Sequence, residues 1–278
     1  MFKSGAVTVV LAGILAIALF ATPVVAQNYW MHPGEGTSVS LEIFKPKFDD
    51  FEAFDLMTSV WLLSASIETS ERMTLVLDYP IANLDVKENY GGDAATLFAN
   101  PYVGFEYKLG SLDEKETLLV RVGIRLPLAS DNKYGVASIG AWTLYDRFEA
   151  FVPDLLTIVE GFGWRKELSS SGIEQKSNVN FAIMIPTEDG EAELFGDYNF
   201  AFWFPVQTLN LGIGLSGRII VTEGDLDILE RTFHHVRLSG NIAAGKFKPG
   251  FHMQVPTDEL LADIVDFSYG VNLTYLIK

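Results

Sequence analysis

The chain has 278 residues, no cysteine, a formal net charge of −16 and 49% hydrophobic residues. That charge excludes a nucleic-acid partner, which would need clustered Lys and Arg. The missing thiols exclude cysteine catalysis, thiolate metal sites and the disulfide scaffolds common among small exported domains.

The first element is a segment with Lys3, an apolar run from Ala6 to Ala21 and the small-residue tripeptide Val24-Val25-Ala26. This pattern predicts a signal peptide over 1–26, with cleavage before Gln27. No later window reaches the roughly 20 apolar residues that a membrane-crossing helix requires. Residues 27–278 are therefore expected to form one domain, a length within the range of single all-β barrels.

Beyond Gln27, apolar residues fall at alternate positions, the strand period rather than the helical one. Leu118, Val120, Val122, Ile124, Leu126 and Leu128 alternate with Arg121, Gly123 and Arg125, and the same rhythm recurs down the chain. It predicts strands near Ser38–Phe44, Phe54–Ile67, Arg72–Ile81, Leu97–Leu109, Glu116–Pro127, Leu155–Glu167, Glu174–Pro186, Ala192–Pro205, Leu209–Thr222, Arg231–Ala243, Phe247–Pro256 and Ile264–Ile277. About twelve strands of about ten residues or more suit a tilted bilayer crossing, where soluble strands average about five or six. Their connections alternate between tight and long, as in outer-membrane barrels with short periplasmic turns and longer outer loops. The fold expected is an all-β, transmembrane, antiparallel up-and-down barrel. In its longest loop, Leu128–Asp154, the spacing of Val136, Ile139, Thr143, Phe148 and Phe151 predicts a short amphipathic helix ended by Pro153.

A soluble sandwich shows the same alternation, so side-chain chemistry must decide which face is inside. The polar face is rich in Gly, Asn, Ser and Arg rather than in Lys and Glu, as suits a confined lumen. Tyr79, Tyr107, Trp164, Tyr198, Phe204, Phe267 and Tyr275 fall toward strand ends, as aromatic girdles do. On this register the pore-lining residues are Asp78, Glu106, Lys108, Arg121, Arg125, Asn180, Asp197, Arg218, His235, Arg237 and His252. Buried ions need partners, so the acids are expected to pair with arginines on neighbouring strands. Two readings stand side by side: charges that hold the wall in shape, or a basic ladder of Arg121, Arg125, Arg218 and Arg237 that favours anions. Trp142, Tyr145, Phe148 and Phe151 are the candidate gate, or else part of a plain cap. One strand resists: Glu160 falls among Leu156, Ile158, Phe162 and Trp164 on the apolar face. It must lie near an interface, sit beyond a bulge that shifts the register, or pack against the long loop.

The long connections hold Asp49, Asp50, Asp85, Glu88, Asp93, Glu188, Asp189, Glu223, Asp225, Asp227, Asp258, Glu259 and Asp263. They serve as solvated loops, or they bind divalent cations shared with lipopolysaccharide or steer cations toward a pore. His32, His234, His235 and His252 fit no nucleophile elbow, zinc helix or phosphate loop. No enzyme activity, cofactor or metal is expected.

Asn100-Pro101-Tyr102-Val103-Gly104-Phe105-Glu106-Tyr107, followed by Val122-Gly123-Ile124-Arg125-Leu126-Pro127-Leu128-Ala129, resembles the outer-membrane meta-pathway phenol-degradation transporters, channel-like barrels grouped with importers of hydrophobic compounds. The resemblance implies passage of small apolar or aromatic solutes. The chain departs from the commonest barrel ending by closing on Leu276-Ile277-Lys278, with Tyr275 as its last aromatic residue. The reading is an outer-membrane channel for small solutes with a partly occluded lumen, monomeric and surrounded by lipid and lipopolysaccharide. The alternative is a structural or adhesion barrel with acidic outer loops.

Overall fold

The computed structural model describes residues 36–277 apart from 49–53, 55–56, 114–115, 169–171, 189, 223–230 and 243–244. The expected signal peptide, His32 and the acidic residues Asp49, Asp50, Asp189, Glu223, Asp225 and Asp227 lie outside the described residues. The strands are β1 (Ser38–Phe48), β2 (Ser59–Ser70), β3 (Met73–Asp85), β4 (Ala94–Phe98), β5 (Tyr102–Asp113), β6 (Glu116–Arg125), β7 (Leu155–Glu167), β8 (Glu174–Pro186), β9 (Glu193–Val206), β10 (Leu209–Ile220), β11 (Thr232–Ile242), β12 (Phe247–Pro256) and β13 (Val265–Leu276). A helix, α1 (Tyr134–Thr143), lies between β6 and β7, and a single helical turn, α2 (Glu259–Ala262), between β12 and β13.

Each strand pairs antiparallel with its neighbour, and β1 closes the ring on β13 through pairs such as Val39↔Tyr275 and Ile43↔Val271. The result is a closed antiparallel barrel of 12 strands, with β4 as an extra strand outside the ring. Closure leaves the twelve strands of the ring without an open edge, the condition for placing strands in hydrocarbon. No helix among the described residues is long and apolar enough to cross a membrane, which says nothing of strands.

Burial follows the pleat. On β8, Asn180, Ala182 and Met184 are buried inside while Val179, Phe181 and Ile183 are exposed outside. On β10, Asn210, Ser216 and Arg218 are buried opposite exposed Leu211, Ile213 and Leu215. The outer surface is thus a continuous apolar belt. Tyr107, Trp164 and Phe204 stand on it toward the short turns, and Tyr79 toward the long connections.

The alternation predicts one strand over Leu97–Leu109; the structure breaks it at 99–101 into β4 and β5. Pro101 has no N–H to give the ladder, and the side chain of Asn100 is committed elsewhere. Above the break β4 pairs with β3 alone, Ile81↔Phe98 to Asp85↔Ala94, while below it β5 pairs with both β3 and β6. The apolar core sits inside the barrel near the long connections, where Val136, Ala137 and Leu144 pack against inward-facing Phe44, Val60, Leu62 and Ala82. Burying each such side chain contributes about 1.5–3 kcal/mol.

Candidate functional site: a latched segment across the lumen

After β6 the chain turns inward. Asn100, 0% exposed, clips both ends of the excursion. Its Oδ1 accepts from the backbone N–H of Leu128 (2.8 Å) and Ala129 (2.7 Å), and its Nδ2 donates to the carbonyls of Glu149 (3.1 Å) and Val152 (2.6 Å). Its own N–H donates to the carbonyl of Ala150 at 2.7 Å.

Pro153 does not end the helix, as the spacing predicts; α1 stops at Thr143, and Leu144 leaves it with φ −126° and ψ 62°. The wall takes the helix's last carbonyl: Gln254 Nε2 donates to Thr143 O at 2.6 Å and Ser268 Oγ at 3.4 Å. Helix ends expose carbonyls that need such partners. A 3-10 turn over Tyr145–Ala150, kinked at Arg147 (φ −137°, ψ 28°), then crosses the lumen.

Three charges on that turn meet the wall. Asp146 accepts from Arg237 on β11. Arg147 Nη1 lies 3.5 Å from Asp78 on β3. Glu149 lies between two strands' arginines, with Oε2 accepting from Arg218 Nη1 at 2.9 Å and Oε1 lying 3.6 Å from Arg125 Nε. Burial alone would raise the Asp146 carboxyl, but the guanidiniums of Arg237 and Arg147 outweigh it and hold the group below the usual carboxylate range. Aromatic rings continue the turn into the wall. Trp142 stacks on Tyr145 (5.8 Å), Tyr145 on Phe148 (5.6 Å), and Phe148 meets Phe195 edge-on (5.4 Å). Phe151 is fully buried against Gly140 of α1, where any Cβ would collide with its ring.

Of the residues read as pore-lining, Asp78, Glu106, Arg125, Asn180, Asp197, Arg218, His235, Arg237 and His252 are buried on the inner face, Arg121 nearly so, and Lys108 is half-buried toward the short turns. The arginines are not a row of open cations: Arg121 pairs with Glu106, Arg125 with Asp78 and Glu149, Arg218 with Asp197 and Glu149, and Arg237 with Asp146. Unpaired guanidiniums in a dry interior would cost more than the ladder could return. His234 leaves on the outer face, where Nδ1 lies 2.9 Å from Asp258, while its neighbour His235 turns inward. Among the described residues no three His, Asp or Glu groups could hold a metal.

Glu160 is exposed on the outer face, and β7 keeps its register on both sides, Glu160↔Val122 and Glu160↔Phe181. That removes the bulge and the loop contact as explanations.

Sequence reasoning named the aromatic residues of the inward segment but missed its charges and the clip. Asp146, Arg147 and Glu149 are legible in hindsight as ions set among aromatics, and Asn100-Pro101 as a breaker inside a strand pattern. A small cavity of about 20 Å³ lies beside the segment and is lined by Tyr102, Arg121, Arg125, Arg147, Glu149, Val159, Asn180 and Asp197.

No family model and no curated protein matches the sequence. Solved structures do match. An outer-membrane channel from Pseudomonas putida F1 is similar with a TM-score of 0.60 at 11% identity, over 91% of this chain and 99% of that one. The translocator domain of the autotransporter NalP from Neisseria meningitidis follows at 0.49 and 11% identity, over 88% and 89%. LpxR from Salmonella typhimurium follows at 0.47 and 8%, over 86% and 100%. At 11% identity the likeness to the Pseudomonas putida channel is one of fold alone, and the barrel agrees with the resemblance read from the sequence.

Proposed function

We propose that the chain is an outer-membrane channel for small solutes, exported by its N-terminal segment, and that residues 134–152 hold it closed as the gate. The observation that carries this reading is the inward segment itself: a polar, charged lumen is crossed by a turn whose ions and carbonyls are bound by side chains from opposite sides of the wall. A barrel serving only as scaffold needs no such traverse, because packing alone would fill its interior. The apolar belt meets lipid, and the acidic long connections face outward toward lipopolysaccharide. The solutes are small, with apolar or aromatic bodies that suit the rings of Tyr102, Tyr145 and Phe148. The channel works as a monomer and does no chemistry on what it passes.

Liposome swelling tests this. Purified, refolded protein lacking residues 134–152 is expected to admit a small neutral sugar at least about tenfold faster than the intact chain, since the removed segment spans the lumen. A deletion variant that folds, judged by heat-modifiable migration, yet swells liposomes no faster than lipid alone rejects the channel.

A further inference from the structure

Glu149 occupies a place built for a carboxylate. Its side chain is 3% exposed and lies between Arg218 Nη1 (2.9 Å) and Arg125 Nε (3.6 Å), guanidiniums fixed on β10 and β6. Each is steadied by a wall acid: Arg218 Nη2 donates to Asp197 at 3.0 Å, and Arg125 Nη2 lies 3.6 Å from Asp78. Each also faces an aromatic ring, Arg218 over Phe148 at 5.0 Å and Phe195 at 5.4 Å, Arg125 over Tyr102 at 5.7 Å. Without Glu149, the four arginines 125, 147, 218 and 237 would face Asp78, Asp146 and Asp197 with one positive charge in excess, so a single negative charge balances the group. Next to it the hydroxyl of Tyr102, itself buried, has no hydrogen-bond partner among the described residues and borders the cavity that Arg125 and Glu149 share. A buried hydroxyl calls for a partner there.

We infer that Arg125 and Arg218 form a carboxylate-binding site that Glu149 fills in the closed state, and that a small monocarboxylate with an apolar body exchanges for Glu149 there. The inference rests on reading residues 134–152 as the closing segment, and it names what opens it. Glu149 is a tethered competitor. Tethering gives it a millimolar effective concentration, so a free carboxylate must displace it, and binding to the intact protein is weak. Once seated, the solute stacks its apolar body on Tyr102 and Val159, accepts from the Tyr102 hydroxyl, and leaves Glu149 without its arginines. The segment then loses both of the ion pairs by which Glu149 holds it across the lumen.

Benzoate is the probe, its binding to the full chain in detergent measured by titration calorimetry and needing no permeation. Glu149→Gln is expected to bind benzoate about tenfold or more tighter than the unaltered chain, because the internal competitor has lost its charge. Benzamide and benzyl alcohol, of similar shape without charge, are expected not to bind, and adding Arg218→Gln to Glu149→Gln abolishes the gain. Benzoate binding no tighter in Glu149→Gln, or benzamide binding as well as benzoate, overturns the site. If Glu149→Gln does not give the heat-modifiable folded form, Glu149→Asp, one methylene shorter and still charged, is expected to bind benzoate tighter than the unaltered chain, and no gain there overturns the site equally. Benzoate exchange in a chain whose deletion variant still fails to swell liposomes would reject the channel and leave the site standing.

Discussion

Asn100 bonds four backbone groups of the inward segment through its side chain. Each buried backbone group left unmet costs about 1–3 kcal/mol, though such costs do not simply add. Asn100→Ala is expected to lower the denaturation midpoint in detergent clearly, and Asn100→Asp by at least as much, because it buries a carboxylate whose oxygen faces the carbonyls of Glu149 and Val152; equal midpoints for all three would mean the clip is idle. Glu160 belongs to the same scale. Its strand neighbours Val122 and Phe181 are exposed on the belt, and no partner for it is present among the described residues. A carboxylate facing hydrocarbon is destabilising, so Glu160→Leu is expected to raise stability by about 1–2 kcal/mol in urea titrations on liposomes. No gain would place that side chain in water. The anomaly at Glu160 is plain in the sequence, because a period of two fixes its face. Its resolution is not, because only the pairing of β7 with β6 and β8 rules out a bulge.

The inward segment is the element on which the account turns, and its sequence tells half of it. Helical spacing predicts α1, yet the same spacing carries on to Phe151, and the stop at Thr143 depends on Gln254 and Ser268, two strands far away in the chain. Likewise the alternation runs unbroken through Asn100-Pro101, while what breaks the strand there is a set of bonds to residues up to 152. The latch also carries a pH dependence. Asp146 has a carboxyl depressed below its unfolded value, so its contribution is complete above about pH 4 and is lost as pH falls through the depressed value. Acidification below about pH 4 is therefore expected to raise the frequency of channel openings in planar bilayers. Openings equally rare at pH 3 and pH 7 would show that the Asp146–Arg237 pair does not hold the segment.

At the scale of the whole molecule, charge is sorted by surface. The chain is strongly acidic, with a formal charge of −16. Yet between its rims the inner wall sets Lys108, Arg121, Arg125, Arg165, Lys176, Arg218, Arg237 and Lys248 against fewer acids, Glu42, Asp78, Glu106, Glu167, Glu174 and Asp197. The segment's Asp146 and Glu149 draw on that excess. The strands and their lengths follow from alternation, because a strand's two faces are written in every second residue, and the inward polar face follows from the Gly, Asn, Ser and Arg that make it up. The pairing of charges was hidden, since partners such as Arg218 and Glu149 lie 69 residues apart in the chain. What they do together depends on which strands the closed ring brings opposite each other.

The most direct measurement is the reversal potential and conductance of single barrels in a planar bilayer under a salt gradient, for the intact chain and for the variant lacking residues 134–152. The account predicts near silence from the first, and from the second steady conductance with a reversal potential on the anion side. A deleted barrel that stays silent while folded, or one that prefers cations, would contradict it.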